Sequence, residues 1–293
     1  FYLIYFDKSQ EEILTMLTLF AFATLRVIPL STKLIAFLNT SSSFFPSLEL
    51  LYNELKNQIS TEVEQSSSND KPFKIENIKL KNVSFFYEGR NKILFKDVNL
   101  NFEKDKIYGI VGETGSGKTS LVNLITGLLN PTSGEVTHNN NKIDETSNKK
   151  IGYVSQNTYL QTSSIKNNIA FGCEDHEIDD SKINECLKLV KLDKLINELP
   201  LKTETKVSEL GANFSGGQIQ RLSIARSLYI ESDLIIFDEP TSSLDQDTKN
   251  EILKMIFTLK KNRIIFMISH TDIDLKICDE VLKVKDNRVT KIK

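Results

Sequence analysis

The chain has 293 residues, of which 40% are hydrophobic, 26% charged and 9% aromatic; that is enough apolar material for a packed core and excludes a collagenous, low-complexity or wholly disordered protein. Its 37 basic and 39 acidic residues leave a net charge of −2, too balanced to grip nucleic acid over the whole surface, so any polyanion must be held locally. The three cysteines, Cys173, Cys186 and Cys278, form no CxxC pair and leave an odd count, which argues against a disulfide framework or a zinc cage and for a reducing compartment.

The chain opens on FYLIYF, with Phe at position 1 and neither a basic leader nor a small-residue cleavage site, and reads as a piece of a longer protein. From 13 to 32 the only charge is Arg26. A helix of that length spans roughly 30 Å, the thickness of a bilayer core. The stretch is expected to cross a membrane, with Arg26 snorkelling toward one end or facing protein; the competing reading is an amphipathic helix packed on a soluble domain. A second helix is expected over 47–59, opened by Pro46 and carrying Leu48, Leu51, Tyr52 and Leu55 at helical spacing. Residues 61–72, TEVEQSSSNDKP, are polar and serine-rich and end in proline, the composition of a linker. The expected division is therefore a helical membrane part at 1–60, a linker at 61–72 and a second domain at 73–293.

From residue 73 short β-rich runs follow one another: KIENIKLKNVSFFY, IYGIVG, KIGYVSQ, LIIFDEP, RIIFMISH and EVLKVKDNRV. Several are continuous apolar runs, as strands buried on both faces require. Helical patterns at 118–129, 181–197, 216–230 and 245–261 lie between them. Strands alternating with helices predict an α/β domain with a largely parallel core sheet.

The octapeptide GETGSGKT at 112–119 satisfies GxxxxGK[ST], follows a strand-like run and opens a helical one. Its glycines let the backbone curl so that successive N–H groups face a phosphate, reinforced by the positive end of the following helix. Lys118 would bring its charge to the β and γ phosphates, and the Thr119 hydroxyl would ligate Mg²⁺. The GxGxxG order of dinucleotide folds is not present here. NKID at 141–144 imitates a guanine-selecting NKxD but lies too close behind the loop to close a base pocket across the sheet, so adenine is preferred. LIIFDEP at 234–240 delivers two carboxylates to the end of a buried strand, where open parallel sheets hold ligands. Asp238 there suits a metal shell, and Glu239 suits the polarisation of an attacking water.

FSGGQ at 214–218, followed by IQRLSIARSL, closely resembles the signature of the ATP-binding cassette (ABC) family. With it the resemblance covers essentially all of residues 73–293. The family pattern is LSGGQ, so Phe214 departs at the first position while the SGGQ core is intact. The resemblance implies an α/β P-loop NTPase of ABC type, a mixed sheet core with a helical subdomain, preceded by the remnant of a helical membrane domain. It implies ATP and Mg²⁺ as cofactors and ATP hydrolysis as the activity. Gly112, Glu113, Thr114, Gly115, Ser116, Gly117, Lys118, Thr119 and Ser120 would bind the nucleotide. Tyr87 would stack on adenine, with Phe85 or Phe86 as the alternative platform. Gln156, in YVSQN, would join Thr119 and Asp238 at the metal and, as a catalytic residue, contact the attacking water. Glu239 would be the catalytic base, His270 the switch histidine at the γ phosphate, and Asp245, in SSLD, the D-loop aspartate. Ser215, Gly216, Gly217 and Gln218 would complete, across a head-to-tail dimer, the site built on Lys118 of the other copy. Asp105 and Ser208 stand where relatives commonly have glycine, and Glu209 fits the segment that couples cassette to membrane domain. His138 and His176 match nothing and read as solvated loop residues.

Membrane exporters and soluble ATPases of translation or DNA repair share this cassette. FYLIYF, a polar DKSQEE turn and the stretch at 13–32 resemble the last membrane helices of an exporter with fused domains, and VSELG resembles the exporter coupling segment. The implied assembly is a homodimer of such chains in a bacterial inner membrane, with the cassette in the cytoplasm and no nucleic acid partner. TLRVIPL and FFPSLELLYNEL resemble transporters of lipid-linked oligosaccharides or polysaccharides. A membrane lipid or glycolipid cargo is therefore expected, with another lipid, a drug or a peptide as the alternative.

Overall fold

A single helix of 56 residues, α1 (Gln10–Gln65), forms the described part of the first of two units, Phe1–Asn69 and Asp70–Lys293. The computed structural model describes residues 10–65, 74–87, 93–142, 150–208, 211, 213–242 and 244–293. The expected FYLIYF segment, Glu209 and Asp144 of the NKID tetrapeptide lie outside them. The helix runs through Pro29 and Pro46 and reaches Gln65, so the helix expected at 47–59 is a continuation of the first and extends into the expected linker. A proline removes one backbone donor, a loss that apolar helices accommodate by local adjustment of the freed carbonyl. Thr15, Thr18, Thr24, Ser31 and Thr40 each donate to the carbonyl four residues back, at 2.7 to 3.0 Å. Their hydroxyls are thus satisfied within the helix. Leu14, Phe20, Leu25, Phe37 and Leu51 are exposed, and the segment Glu11–Asn53 is long and apolar enough to cross a membrane.

The second unit is built on two sheets. The first is antiparallel, in the order β2-β1-β4-β5, from β1 (Asn77–Phe86), β2 (Ile93–Glu103), β4 (Ser133–His138) and β5 (Asn141–Lys142). The run expected from 74 therefore lies outside the parallel core. The second sheet has the order β10-β9-β3-β8-β7-β6, with β3 (Lys106–Val111), β6 (Ile151–Val154), β7 (Leu234–Asp238), β8 (Ile264–Ile268), β9 (Glu280–Lys285) and β10 (Arg288–Lys291). Its pairs are parallel except for the edge hairpin β9–β10. Successive residues of a strand face opposite sides, and both sides here are covered. Leu234, Ile236 and Phe266 pack with helix α2 (Lys118–Thr126) and the antiparallel sheet. Ile235, Phe237, Ile265 and Met267 pack against α3 (Ile165–Ile169), α4 (Asp180–Leu189), α5 (Asp193–Glu198), α6 (Gly216–Tyr229) and α7 (Gln246–Leu259).

The helical pattern at 181–197 is split into α4 and α5. Leu192 N–H donates to Leu187 O at 2.9 Å and Lys191 N–H to Lys188 O at 3.1 Å, the two bonds of a Schellman stop. The left-handed position is held by Lys191, at φ 58°, rather than by glycine, so periodicity alone runs through it. Asp105, at φ 63°, makes the turn between β2 and β3 and accepts from Asn262 N–H at 2.6 Å, so aspartate serves where a glycine was expected. His138 is not a solvated loop residue as expected. It ends β4 at 1% exposure, its Nε2 2.8 Å from the carbonyl oxygen of Ile125, and the turn at Asn139 and Asn140 lies just beyond it. His176 is exposed, and the three cysteines are free, two of them buried.

Candidate functional site

Strand register assembles the site. Ile110 of β3 pairs with Ile268 of β8, and Ile268 with Asp238 of β7, so the loop after β3, the acidic pair and the segment after β8 leave the sheet at one edge. A short helix follows β8, α8 (Asp272–Leu275). The edge borders a cavity of about 490 Å³, lined by Tyr87, Leu94, Thr114, Gly115, Gly117, Lys118, Thr119, Ser120, Gln156, Asp238, Glu239, Ile268 and His270.

The loop at 112–119 curls through left-handed backbone at Gly115 and Gly117, φ 78° and 107°. A Cβ on Gly117 would also press on Leu94 and Phe95 at 3.0 Å, so glycine is required there on both counts. Lys118 is almost buried, and its Nζ donates to the carbonyl oxygens of Gly112 at 2.9 Å and Glu113 at 3.0 Å. Burial lowers its pKa, against the opposing pull of the Glu239 and Asp238 charges. Ser116 Oγ is buried without a hydrogen-bond partner, and the first N–H groups of α2 have no acceptor within the helix. An ammonium and a helix N-terminus around one curled backbone fit a phosphate. The Tyr87 hydroxyl lies 2.9 Å from Ser120 Oγ, and its ring meets Phe85 edge to face at 4.9 Å. Phe85 is buried, whereas Phe86 and Tyr87 are exposed; of the three candidate adenine platforms, Tyr87 borders the cavity.

Opposite the loop, Glu239 stands in left-handed backbone, φ 48°, tied to β8 by its N–H to Ile268 O at 3.0 Å. Its carboxylate is shared: Gln156 Nε2 donates to Oε2 at 2.8 Å, and His270 Nε2 lies 3.1 Å from Oε1. Asp238 Oδ2 accepts the Tyr153 hydroxyl at 2.8 Å. The Tyr153 pKa is pushed up by burial and by that carboxylate.

Ser215 and Asp245 are not among the residues that line the cavity. Ser215 caps α6: its Oγ accepts from Gln218 N–H at 3.3 Å, and Gln218 Oε1 accepts from Ser215 N–H at 2.9 Å, a reciprocal capping box. Gly217 lets α6 approach α7, since a Cβ there would stand 2.5 Å from Thr248 Cγ2. Asp245 caps α7, accepting from Asp247 N–H at 3.1 Å and Thr248 N–H at 3.0 Å, and these bonds lower its pKa. Ser208 donates its hydroxyl to Asn213 Oδ1 at 2.9 Å.

The family model for the ABC transporter matches residues 95–242, half of the chain. The chain belongs to the ABC transporter family. It is 37% identical, over 75% of its length, to a lacticin-481/lactococcin-DR transport/processing ATP-binding protein of Lactococcus lactis subsp. lactis, of which it covers 32%. It is also 37% identical, over 74% of its length, to an ATP-dependent lipid A-core flippase of Desulfotalea psychrophila, of which it covers 38%. This ABC transporter chain therefore spans about a third of the length of such relatives. Its fold matches a bacterial Atm1-family ABC exporter with ATP bound, with a TM-score of 0.67 at 24% identity over 77% of this chain and 40% of the other.

Within this ABC transporter chain, sequence reasoning missed Leu94 and Ile268 on the cavity and Tyr153 behind Asp238. Leu94 comes from β2, which the expected strands omitted. Ile268 looked like ordinary core. Tyr153 lies three residues before Gln156 with nothing in the local pattern to point it at Asp238; only the parallel pairing of β6 with β7 does so.

Proposed function

We propose that residues 73–293 are the ATP-hydrolysing nucleotide-binding domain of an exporter and that the first sixty residues are the C-terminal part of its helical membrane domain. Support for the hydrolytic half comes from one arrangement: the carboxylate of Glu239, held between Gln156 and His270, faces the same cavity as Lys118 and the loop at 112–119. Lys118 and the α2 N-terminus grip the phosphates, and Tyr87 supports the adenine ring. Thr119, Gln156 and Asp238 border the cavity together and would hold Mg²⁺, whose shell phosphate oxygens and water would complete. Bound there, Mg²⁺ would withdraw charge from those oxygens.

Glu239 accepts the proton of the attacking water once one of its oxygens is released by Gln156 or His270. His270, which borders the same cavity, would contact the γ phosphate. Ser215 and its glycines act on the nucleotide of a second, identical copy, and Asp245 borders that contact, so the dimer closes on ATP and opens after its hydrolysis. The apolar length of α1 supports a fused exporter in a bacterial inner membrane with a cytoplasmic cassette. A soluble ATPase has no use for such a helix. The named relatives handle a lacticin and a lipid A-core through a similar cassette, so cargo is set outside it; a lipid-linked oligosaccharide remains our reading from the first sixty residues. In the full chain, Glu239→Gln is expected to bind ATP as the unaltered protein does while hydrolysis falls at least ~10²-fold. Turnover at the unaltered rate would remove Glu239 from the role of base.

A further inference from the structure

Bonded to residues that flank Glu239 and His270 lies an ion pair that the hydrolytic reading does not use. Lys249 Nζ and Asp274 Oδ1 are 3.1 Å apart, with side chains 9% and 2% exposed. A buried pair of this kind adds little net stability compared with apolar side chains of the same volume. What it supplies is direction, because each polar atom must be met along a defined line. Here those lines run to the segments that carry the candidate site.

Thr241, two residues after Glu239, donates its hydroxyl to both Asp274 oxygens, at 3.1 and 3.0 Å. Ser269, directly before His270, donates to Asp274 Oδ2. Lys249 donates to Thr271 Oγ1, directly after His270, at 3.0 Å, and Thr271 N–H returns to Ser269 Oγ at 3.1 Å. Lys249 also lies in the first turn of α7, where its N–H donates to Asp245 O at 2.9 Å. Four segments thus meet on one pair: the turn after β7, the residues on both sides of His270, α8 and the start of α7. The His270 imidazole is half exposed, so its orientation depends on how its neighbours are held.

We infer that the Lys249–Asp274 pair is a positioning device that sets the orientation of His270 toward Glu239. The inference rests on the hydrolytic reading above for its consequence, though not for its geometry. The test uses the full chain in detergent with a double variant, Lys249→Met with Asp274→Leu, which keeps the volume and removes the directed bonds. Two readouts are taken beside the thermal midpoint: steady-state ATP hydrolysis, and the imidazole resonances of histidine-labelled protein. Only three histidines are present, and His138, buried on β4, serves as the internal control.

The expected result is a kcat about tenfold lower with KM for ATP within twofold, a displaced His270 resonance and an unmoved His138 resonance. The spectrum reads the positioning whether or not the chain hydrolyses ATP; equal rates for the unaltered chain and Glu239→Gln would sink the hydrolytic reading instead. An unmoved His270 resonance with unaltered turnover would overturn the inference. So would a failure of both the double variant and the milder Ser269→Ala to fold, which would make the pair a support of the fold alone.

Discussion

Lys118 spends its ammonium on the carbonyl oxygens of Gly112 and Glu113, and a phosphate entering the loop would take over those bonds. Burial depresses its pKa while the carboxylates of Glu239 and Asp238 oppose the fall. The charged form is the one that binds an anion. Nucleotide affinity is therefore expected to decline on the alkaline side at a lower pH than the ordinary lysine value of 10.5 would set. A charged hydrogen bond contributes about 1.5–3 kcal/mol, so Lys118→Met should weaken ATP binding by ~10- to 100-fold, measured by titration calorimetry at pH 7. Unchanged affinity would mean that the loop grips its ligand without this side chain. The residues of this loop are legible because they are consecutive: curl, charge and hydroxyl all fall within eight positions. The Glu239 clamp is not legible, because Gln156 and His270 reach it from different strands and only sheet register brings them together.

Among the elements, α6 and α7 meet through a missing side chain. A methyl group on Gly217 would press on Thr248 Cγ2 at 2.5 Å, and overpacking at a buried contact costs about 1–3 kcal/mol. Gly217→Ala should lower the unfolding midpoint, and adding Thr248→Ser, which deletes the opposing methyl group, should restore most of the loss. If the second substitution gave no recovery, the contact would not be what demands glycine. The same scale explains what the periodicity missed. In β2 the buried residues Phe95 and Val98 are three apart, because a bulge interrupts the pairing with β1 between them. An alternation of two is thereby lost, and the strand reads as a loop. The stop at Lys191 is hidden for a related reason: its left-handed backbone is imposed by two hydrogen bonds and by burial of Leu187 and Leu192, not by a residue that prefers it.

At the scale of the whole molecule, two expectations follow from the proposed assembly. If α1 lies in a bilayer, the full chain should float with phospholipid vesicles in a density gradient while a chain starting at residue 74 stays at the bottom. Recovery of the full chain with the unbound fraction would count against a membrane segment. If Ser215 faces the nucleotide of a second copy, Ser215→Arg in a Glu239→Gln background should remain monomeric in light scattering with Mg-ATP, where Glu239→Gln alone dimerises. A dimer of undiminished mass would count against the shared site. The sequence by itself determined the curled glycine loop at 112–119, the acidic end of β7, the SGGQ cap and the apolar length of α1, since each is a run of neighbouring residues whose chemistry is local. Only the tertiary structure decided that Tyr153 holds Asp238, that Glu239 is shared by Gln156 and His270, and that His138 is core. The contacts of Tyr153, Gln156 and His270 join residues far apart in the chain, and parallel pairing in a sheet covered on both faces sets them side by side; His138 is enclosed between the antiparallel sheet and α2.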